Sequence, residues 1–286
     1  MKSSLLKTLL RKRIHDRVRG GHKLSRYLTR NMDSVPVRID SHPPLYVDLR
    51  SLDEHAVQLF IADPLPEIKH ESSLTELFNR LIRPTDVVFD VGANLGLHTL
   101  TFARLAKDVV AFEPNPSLTP NLRKTIANLK NATLCDVCLT SEDGTVEFHI
   151  SEWDHMLSSL SNWSGQPTRT IEVPGRSLDS LLSSGSIPNP DVLKVDVEGA
   201  ELMVFRGAER LLSQTDSPRA IIFEELNSSS RKLGIADGEP AEFLKGKGYA
   251  LYLITEEGPV PLPAERPTAA NLLAVKGVDL SQSDNR

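Results

Sequence analysis

Two carboxylates and a pair of glycines raise the first chemical expectation. Asp90 closes the apolar run Val87 to Phe89 and is followed by Gly92, Asn94 and Gly96, after which Leu97, Leu100 and Phe102 begin a helical pattern. A strand, a glycine-rich turn and a helix in that order let backbone approach a ligand and aim helix N-terminal N–H groups at it. About 20 residues beyond the first glycine, the run Val109 to Phe112 ends in Glu113, a carboxylate placed to accept hydrogen bonds from both hydroxyls of a ribose. The pair specifies a nucleoside-containing cofactor. A dinucleotide fingerprint would need glycine at 94 and 97, where the chain has Asn94 and Leu97, so NAD fits poorly.

A second group of charges stands later in the chain. The run from Asp191 to Val197 reads as a strand whose alternation puts Lys194, Asp196 and Glu198 on one face and Leu193, Val195 and Val197 on the other. Three charges at one strand end are costly unless paired, and the carboxyl end of a strand is where an open α/β sheet places its ligand. Glu224 and Glu225, ending the next apolar run, are placed to face the same crevice. Asp196 is the first candidate for a general base, with Lys194 either holding it ionised or acting as base itself. Asp196, Glu198 and Glu224 are hard oxygen donors, yet no spacing demands a metal, and none is assigned.

The elements that must position these groups alternate along the chain. Residues 1–35 form a basic arm, 36–84 a strand and helix lead-in, 85–277 the main domain and 278–286 a tail. Within the lead-in, Pro36–Asp40, Leu45–Leu49 and Ala56–Ile61 read as short strands, and Ser72-Ser73 as the cap of a helix from Leu74 to Ile82. The core strands are expected at Val87–Asp90, Val109–Phe112, Ala132–Leu139, Asp191–Val197 and Ala220–Phe223. Helices follow from Leu97, around Leu122 and Ile126, from Ser177 and from about Leu202 to Leu212. Ala250–Ile254 and Asn271–Val275 read as a closing hairpin. Strand and helix alternation makes this a doubly wound α/β sheet, mostly parallel with an antiparallel last strand. Residues 151–169 lack a period and read as a long loop over the acceptor site, carrying His155.

Composition narrows the class. With 286 residues, a net charge of −5 and 40% hydrophobic residues, the chain is an ordinary globular sequence able to build a core. The first thirty residues carry Lys2, Lys7, Arg11, Lys12, Arg13, Arg17, Arg19, Lys23, Arg26 and Arg30 against Asp16 alone. That arm could touch anionic membrane or nucleic acid; the blander reading is a solvated, partly helical lead-in. Aromatics at 5% leave few stacking platforms, which argues against nucleic acid as substrate. No stretch has the length of a membrane span and no signal peptide is evident, so a cytoplasmic location is the default. Cys135 and Cys138, the only two cysteines, read as buried structural thiols on one strand.

In order, FDVGANLGLHTL, AFEPNP, RSLDSLL, LKVDVEGAELMVFRGAERLL and NLLAV resemble the FkbM family of S-adenosylmethionine-dependent methyltransferases, over roughly Val87 to Val275. K-x-D-x-E-G-A-E-L is the specific signal. The resemblance implies a Rossmann-like sheet, S-adenosyl-L-methionine as cofactor and O-methylation of a sugar, glycan or natural-product hydroxyl. It also implies that Asp90, Gly92, Asn94, Gly96 and Glu113 contact the cofactor, with His98 near its methionine end. Asp136 is the candidate partner of the adenine amine. Two other readings stay open: a binding or scaffold protein that keeps the fold without turnover, and a nucleic-acid methyltransferase using the arm.

Overall fold

The computed structural model describes residues 2–12, 21–39, 42–64, 72–151, 154–162, 165–265, 267–278 and 280. Helices α1 (Lys2–Arg11) and α2 (Gly21–Thr29) precede an antiparallel pair, β1 (Val35–Val37) and β2 (Leu45–Val47), and helix α3 (Glu54–Ala62). α1 departs from the solvated reading of the arm. Its Leu6 and Leu10, one helical turn apart, are buried, Lys7 Nζ lies 3.0 Å from Asp63 Oδ2, and Arg11 donates to Ile61 O. Asp16 and the arginines at 13, 17 and 19 lie outside the described residues. The Ala56–Ile61 run is helical, not the expected strand. Ala56, Val57, Leu59 and Phe60 are buried at helical spacing, and the N-cap Asp53 accepts from Ala56 N at 2.9 Å.

After α4 (Ser72–Leu81), which takes both serines into its first turn, the main sheet begins. Its spatial order is β12 (Gly258–Pro261), β11 (Ala250–Thr255), β13 (Ala269–Val275), β10 (Ala220–Leu226), β9 (Val192–Val195), β3 (Val87–Val91), β4 (Asp108–Phe112) and β5 (Ala132–Cys135). The five from β10 to β5 are parallel, and β13 enters antiparallel between β10 and β11. The doubly wound, mostly parallel expectation holds. The terminal hairpin differs in one respect: β11 turns back on β12, and β13 arrives afterwards to pair with both β10 and β11.

Residue alternation divides the core. Phe89, Val91, Val110, Phe112, Leu193, Val195, Ile221 and Phe223 face one layer, packed with α6 (Glu201–Gly207) and α7 (Glu209–Ser213). Val88, Val109, Val192, Ala220 and Ile222 face the other, against α4 and the Phe102 side of α5 (Leu97–Leu105). Asp90 and Lys194 share the parity of this second layer and are register partners across β3 and β9.

Two expected strands end early. The Ala132–Leu139 run breaks at Asp136 and Val137, so β5 stays in the main sheet while β6 (Cys138–Leu139) joins a separate sheet of order β6-β8-β7, with β7 (Gly144–Ser151) and β8 (Thr168–Arg176). Cys135 and Cys138 thus lie in different sheets, both as free thiols, and burial pushes Cys138 up to about 12, which keeps it unreactive. The strand carrying Lys194 stops at Val195. Glu198 sits beyond it at φ 57° and Gly199 at φ 96°, so Glu198 is placed by a turn and not by strand alternation.

Candidate active site

The chain runs from β3 outward through β4 and β5, then returns to build β9 and β10 on the other side of β3. Strand order therefore reverses at β3, and the carboxyl ends of β3, β4 and β9 open into a crevice there. A cleft with a void of about 1070 Å³, counted out to its open mouth, occupies this end of the sheet. Gly92, Asn94, His98, Glu113, Lys194, Asp196 and Glu198 all line it.

The glycine turn is held tightly. Gly92 N and Ala93 N both donate to Phe112 O at 3.0 Å. Gly92 has φ 81°, and a Cβ there would stand 1.8 Å from Asp196 O, so the loop after β3 and the end of β9 touch through a position open only to glycine. Asn94 has φ 51°, and its N donates to Glu113 Oε2 at 2.8 Å, while Asn115 N donates to Glu113 Oε1 at 2.9 Å. Burial pushes the Glu113 carboxyl up to about 7 against those two donors, which favour its ionised form. Gly96, at φ 91°, is the N-cap of α5 and lies outside the cleft lining; a Cβ there would stand 2.6 Å from Leu122 Cδ1, so the position is closed to a side chain by core packing.

Asp90 is fully buried. It accepts from Thr99 Oγ1 at 2.6 Å, and its other oxygen lies 3.7 Å from Lys194 Nζ with no hydrogen bond reaching it. Lys194 in turn stands 3.1 Å from Asp196 Oδ2. The Lys194 side chain is 7% exposed and that of Asp196 is 37% exposed, so the ammonium joins a buried acid to one that opens on the cleft. Asp196, Glu198 and Glu224 each bring an oxygen within 4.8 Å of the others, a set of hard donors able to hold a divalent cation. Burial, then the charges of Asp196 and Glu224, push Glu198 up to about 10.

Glu201, quoted in the motif but given no role from sequence, organises this turn. Fully buried, it accepts from Val197 N at 3.0 Å and Gly199 N at 3.1 Å, and burial pushes it up to about 8. Its signal was the second acid of E-G-A-E. Asp53 carries no signal of its own in the sequence, because the run that follows it, Ala56–Ile61, reads as a strand and a strand needs no cap. Besides capping α3 it accepts from His155 N at 2.7 Å, which pins the 3₁₀ turn His155–Leu157 over the cleft together with Met156, Ser158 and Leu160. His98 lines the cleft while stacking on Phe102 and meeting Phe78 edge-on. Asp136 points elsewhere: it is 58% exposed, pairs with Arg123 at 2.7 Å and is not among the cleft residues, whereas its neighbours Val137 and Cys138 are. Glu224 and Glu225 both lie outside the cleft lining: Glu224 stands beside Asp196 and Glu198, and Glu225, on the opposite side of β10, is buried.

The buried Asn94 Oδ1, which no hydrogen bond reaches, with the Gly92 cradle and Glu113, fits a polar nucleoside with an amino-acid tail. The chain is 28% identical over 151 residues to the hexuronic acid methyltransferase AglP of Haloferax volcanii, covering 52% of this chain and 61% of that protein, less than two thirds of its length. It is 27% identical to the 2-O-methyltransferase NoeI of Sinorhizobium fredii, covering 54% of this chain and 69% of NoeI. Against the 31-O-demethyl-FK506 methyltransferase FkbM of Streptomyces tacrolimicus it is 28% identical, with 63% and 77% covered. The solved methyltransferase FkbM of Methylobacillus flagellatus superposes with a TM-score of 0.45 at 14% identity, over 78% of this chain and 55% of that one. The model of the methyltransferase FkbM domain matches residues 90–251, from the buried acid of the glycine turn to the second residue of β11. The chain belongs to the FkbM family of S-adenosylmethionine-dependent methyltransferases.

Proposed function

We propose that the protein methylates a hydroxyl of a sugar, glycan or small natural product, with Asp196 taking the acceptor proton. The observation that carries this reading is the contact between the two halves of the site, where Gly92 of the cofactor loop packs on the carbonyl of Asp196. S-adenosylmethionine, when bound, supplies an electrophilic methyl group. The Gly92–Gly96 backbone and Glu113 would hold its nucleoside, and Asp90, Asn94 and His98 would border its amino-acid end. Asp196 is the member of the buried ion trio open to the cleft, which suits a base that must meet an incoming hydroxyl. Lys194 fixes that carboxylate in place and balances both acids it touches. Glu198, kept protonated near neutrality by burial and by its acidic neighbours, can donate a hydrogen bond to the acceptor, and Glu224 closes the same side. The names of two relatives, a 2-O-methyltransferase and an enzyme of a 31-O-demethyl compound, support oxygen as the acceptor atom.

The test is Asp196→Asn, with turnover followed as S-adenosylhomocysteine release on a panel of hexosides, hexuronic acids and macrolide alcohols. Turnover should fall by roughly 10²–10⁴-fold, the usual worth of a general base, with cofactor affinity and melting temperature kept. Full activity in a stably folded Asp196→Asn protein would overturn the assignment.

A further inference from the structure

Helix α2 is built inside out. Its buried side chains are the small polar Ser25 and Thr29, 4% and 0% exposed, and Thr29 Oγ1 bonds back to Ser25 O at 3.0 Å. Its large apolar side chains face outward, Leu24, Tyr27 and Leu28 being 48%, 62% and 40% exposed. Among the described residues, Met156 and Val260 are the other large hydrophobic side chains this open, and they stand apart from each other in the chain. A helix held only by the hydrophobic effect would show the reverse arrangement.

At about 100° per residue, Tyr27 lies opposite the Ser25 and Thr29 face, with Leu24 and Leu28 on one side of it. Lys23, Arg26 and Arg30 occupy the other side, all exposed, and the Arg30 guanidinium lies 4.0 Å over the Tyr27 ring. No acid occurs in sequence between Asp16 and Asp33. Apolar residues at i, i+3 and i+4 flanked by cations are the composition of a helix that lies in the plane of a bilayer interface. Nine residues are too few to cross a bilayer, and no helix among the described residues is long and apolar enough to do so. The charge selects the partner. A second copy docking face to face would set three cations against three, and nucleic acid would find one ring to stack on beside two leucines.

We propose that α2 seats the protein on the surface of an anionic phospholipid bilayer. Leu24, Tyr27 and Leu28 enter the boundary between headgroups and acyl chains, and Lys23, Arg26 and Arg30 meet lipid phosphates. The remainder of the chain is acidic, so the same field orients the molecule with this helix toward the membrane.

The experiment is sedimentation of the full chain with vesicles of phosphatidylcholine alone or with about one-third phosphatidylglycerol, across a salt series. Binding should require the anionic lipid and weaken with salt. Replacing Leu24, Tyr27 and Leu28 together by serine should reduce it at least about tenfold, and each of Lys23→Ser, Arg26→Ser and Arg30→Ser by roughly fivefold. These side chains are exposed, so melting temperature should hold. A Tyr27→Trp protein gives a second readout: its added fluorescence should be quenched by brominated acyl chains. Four results would overturn the proposal: no binding to anionic vesicles, full binding by the serine triple, a dimer that the serine triple dissociates, or displacement from vesicles by single-stranded RNA at equal charge.

Discussion

Glu113 accepts two backbone N–H bonds and yet is pushed up to about 7, because it is fully buried and Asp90 adds its own charge. A ribose donates its hydroxyl hydrogens to the ionised form, and each carboxylate oxygen still has a lone pair after its backbone bond. Cofactor affinity should therefore be lost as pH falls through about 7 and be level above it, with proton uptake by the buffer on the acidic side. Calorimetry with S-adenosylhomocysteine between about pH 5.5 and 8.5 reads this slope. Glu113→Gln should flatten it and weaken binding by roughly 1.5–3 kcal/mol, the range for hydrogen bonds to a charged group. An unchanged slope in that variant would assign the titration to another acid.

At the level of elements, the segment between β7 and β8 is tied to the rest of the protein from both sides. Ser159 pairs with His149 and donates to Glu198 O, while Asp53 holds His155 N from the N-terminus of α3. The lead-in thus reaches the cleft through buried Asp53, 3% exposed, and through His55 of α3, which lines it. We expect the loop of residues 151–169, of which β8 takes the last two, to be the first site of limited proteolysis in the cofactor-free protein and to gain protection when S-adenosylhomocysteine binds. Asp53→Ala removes the α3 cap, at a cost of about 1 kcal/mol, and frees the turn. Cleavage in this segment should then quicken more than the stability loss accounts for, read by fragment masses against urea melts. Equal cleavage of variant and parent would show that Asp53 caps α3 and does nothing to the loop.

Across the whole molecule, the end of the sheet remote from the cleft is gathered by Arg219. Its guanidinium donates to both oxygens of buried Asp86, at 3.0 and 2.5 Å, and to Leu81 O at 2.7 Å, while its backbone joins Asp191 and Lys276. The starts of β3, β9 and β10 and the ends of α4 and β13 meet there. Arg219→Ala leaves a carboxylate 3% exposed without its cation, which should destabilise the fold by about 3–5 kcal/mol. The site lies at the other end of the strands, so cofactor affinity of the folded fraction should stay as it was. A melt showing less than about 1 kcal/mol lost would mean that water and the Arg83 N–H, which donates to Asp86 Oδ2 at 2.6 Å, serve Asp86 adequately.

What the chain's own order of residues determined is local. Apolar runs of strand length ending in Asp90 and Glu113, with glycine where backbone must turn, require neighbours only a few positions away and fall where expected, whereas the run through Lys194 is a strand that stops at Val195, short of Asp196. Where a decision needed a distant partner, sequence reading failed. Ala56–Ile61 is apolar enough for strand or helix, and the Asp53 cap with burial against the lead-in core makes it a helix. Ala132–Leu139 looks continuous, but pairing with β4 ends at Cys135 and pairing with β8 begins at Cys138, so two sheets divide one run. The assembly of Asp90, Lys194 and Asp196 depends on β9 inserting beside β3, a register about a hundred residues long that no local pattern encodes. Glu198 joins Glu224 only because buried Glu201 folds the chain after Val195 into a turn, and burial is a property that the tertiary structure alone confers.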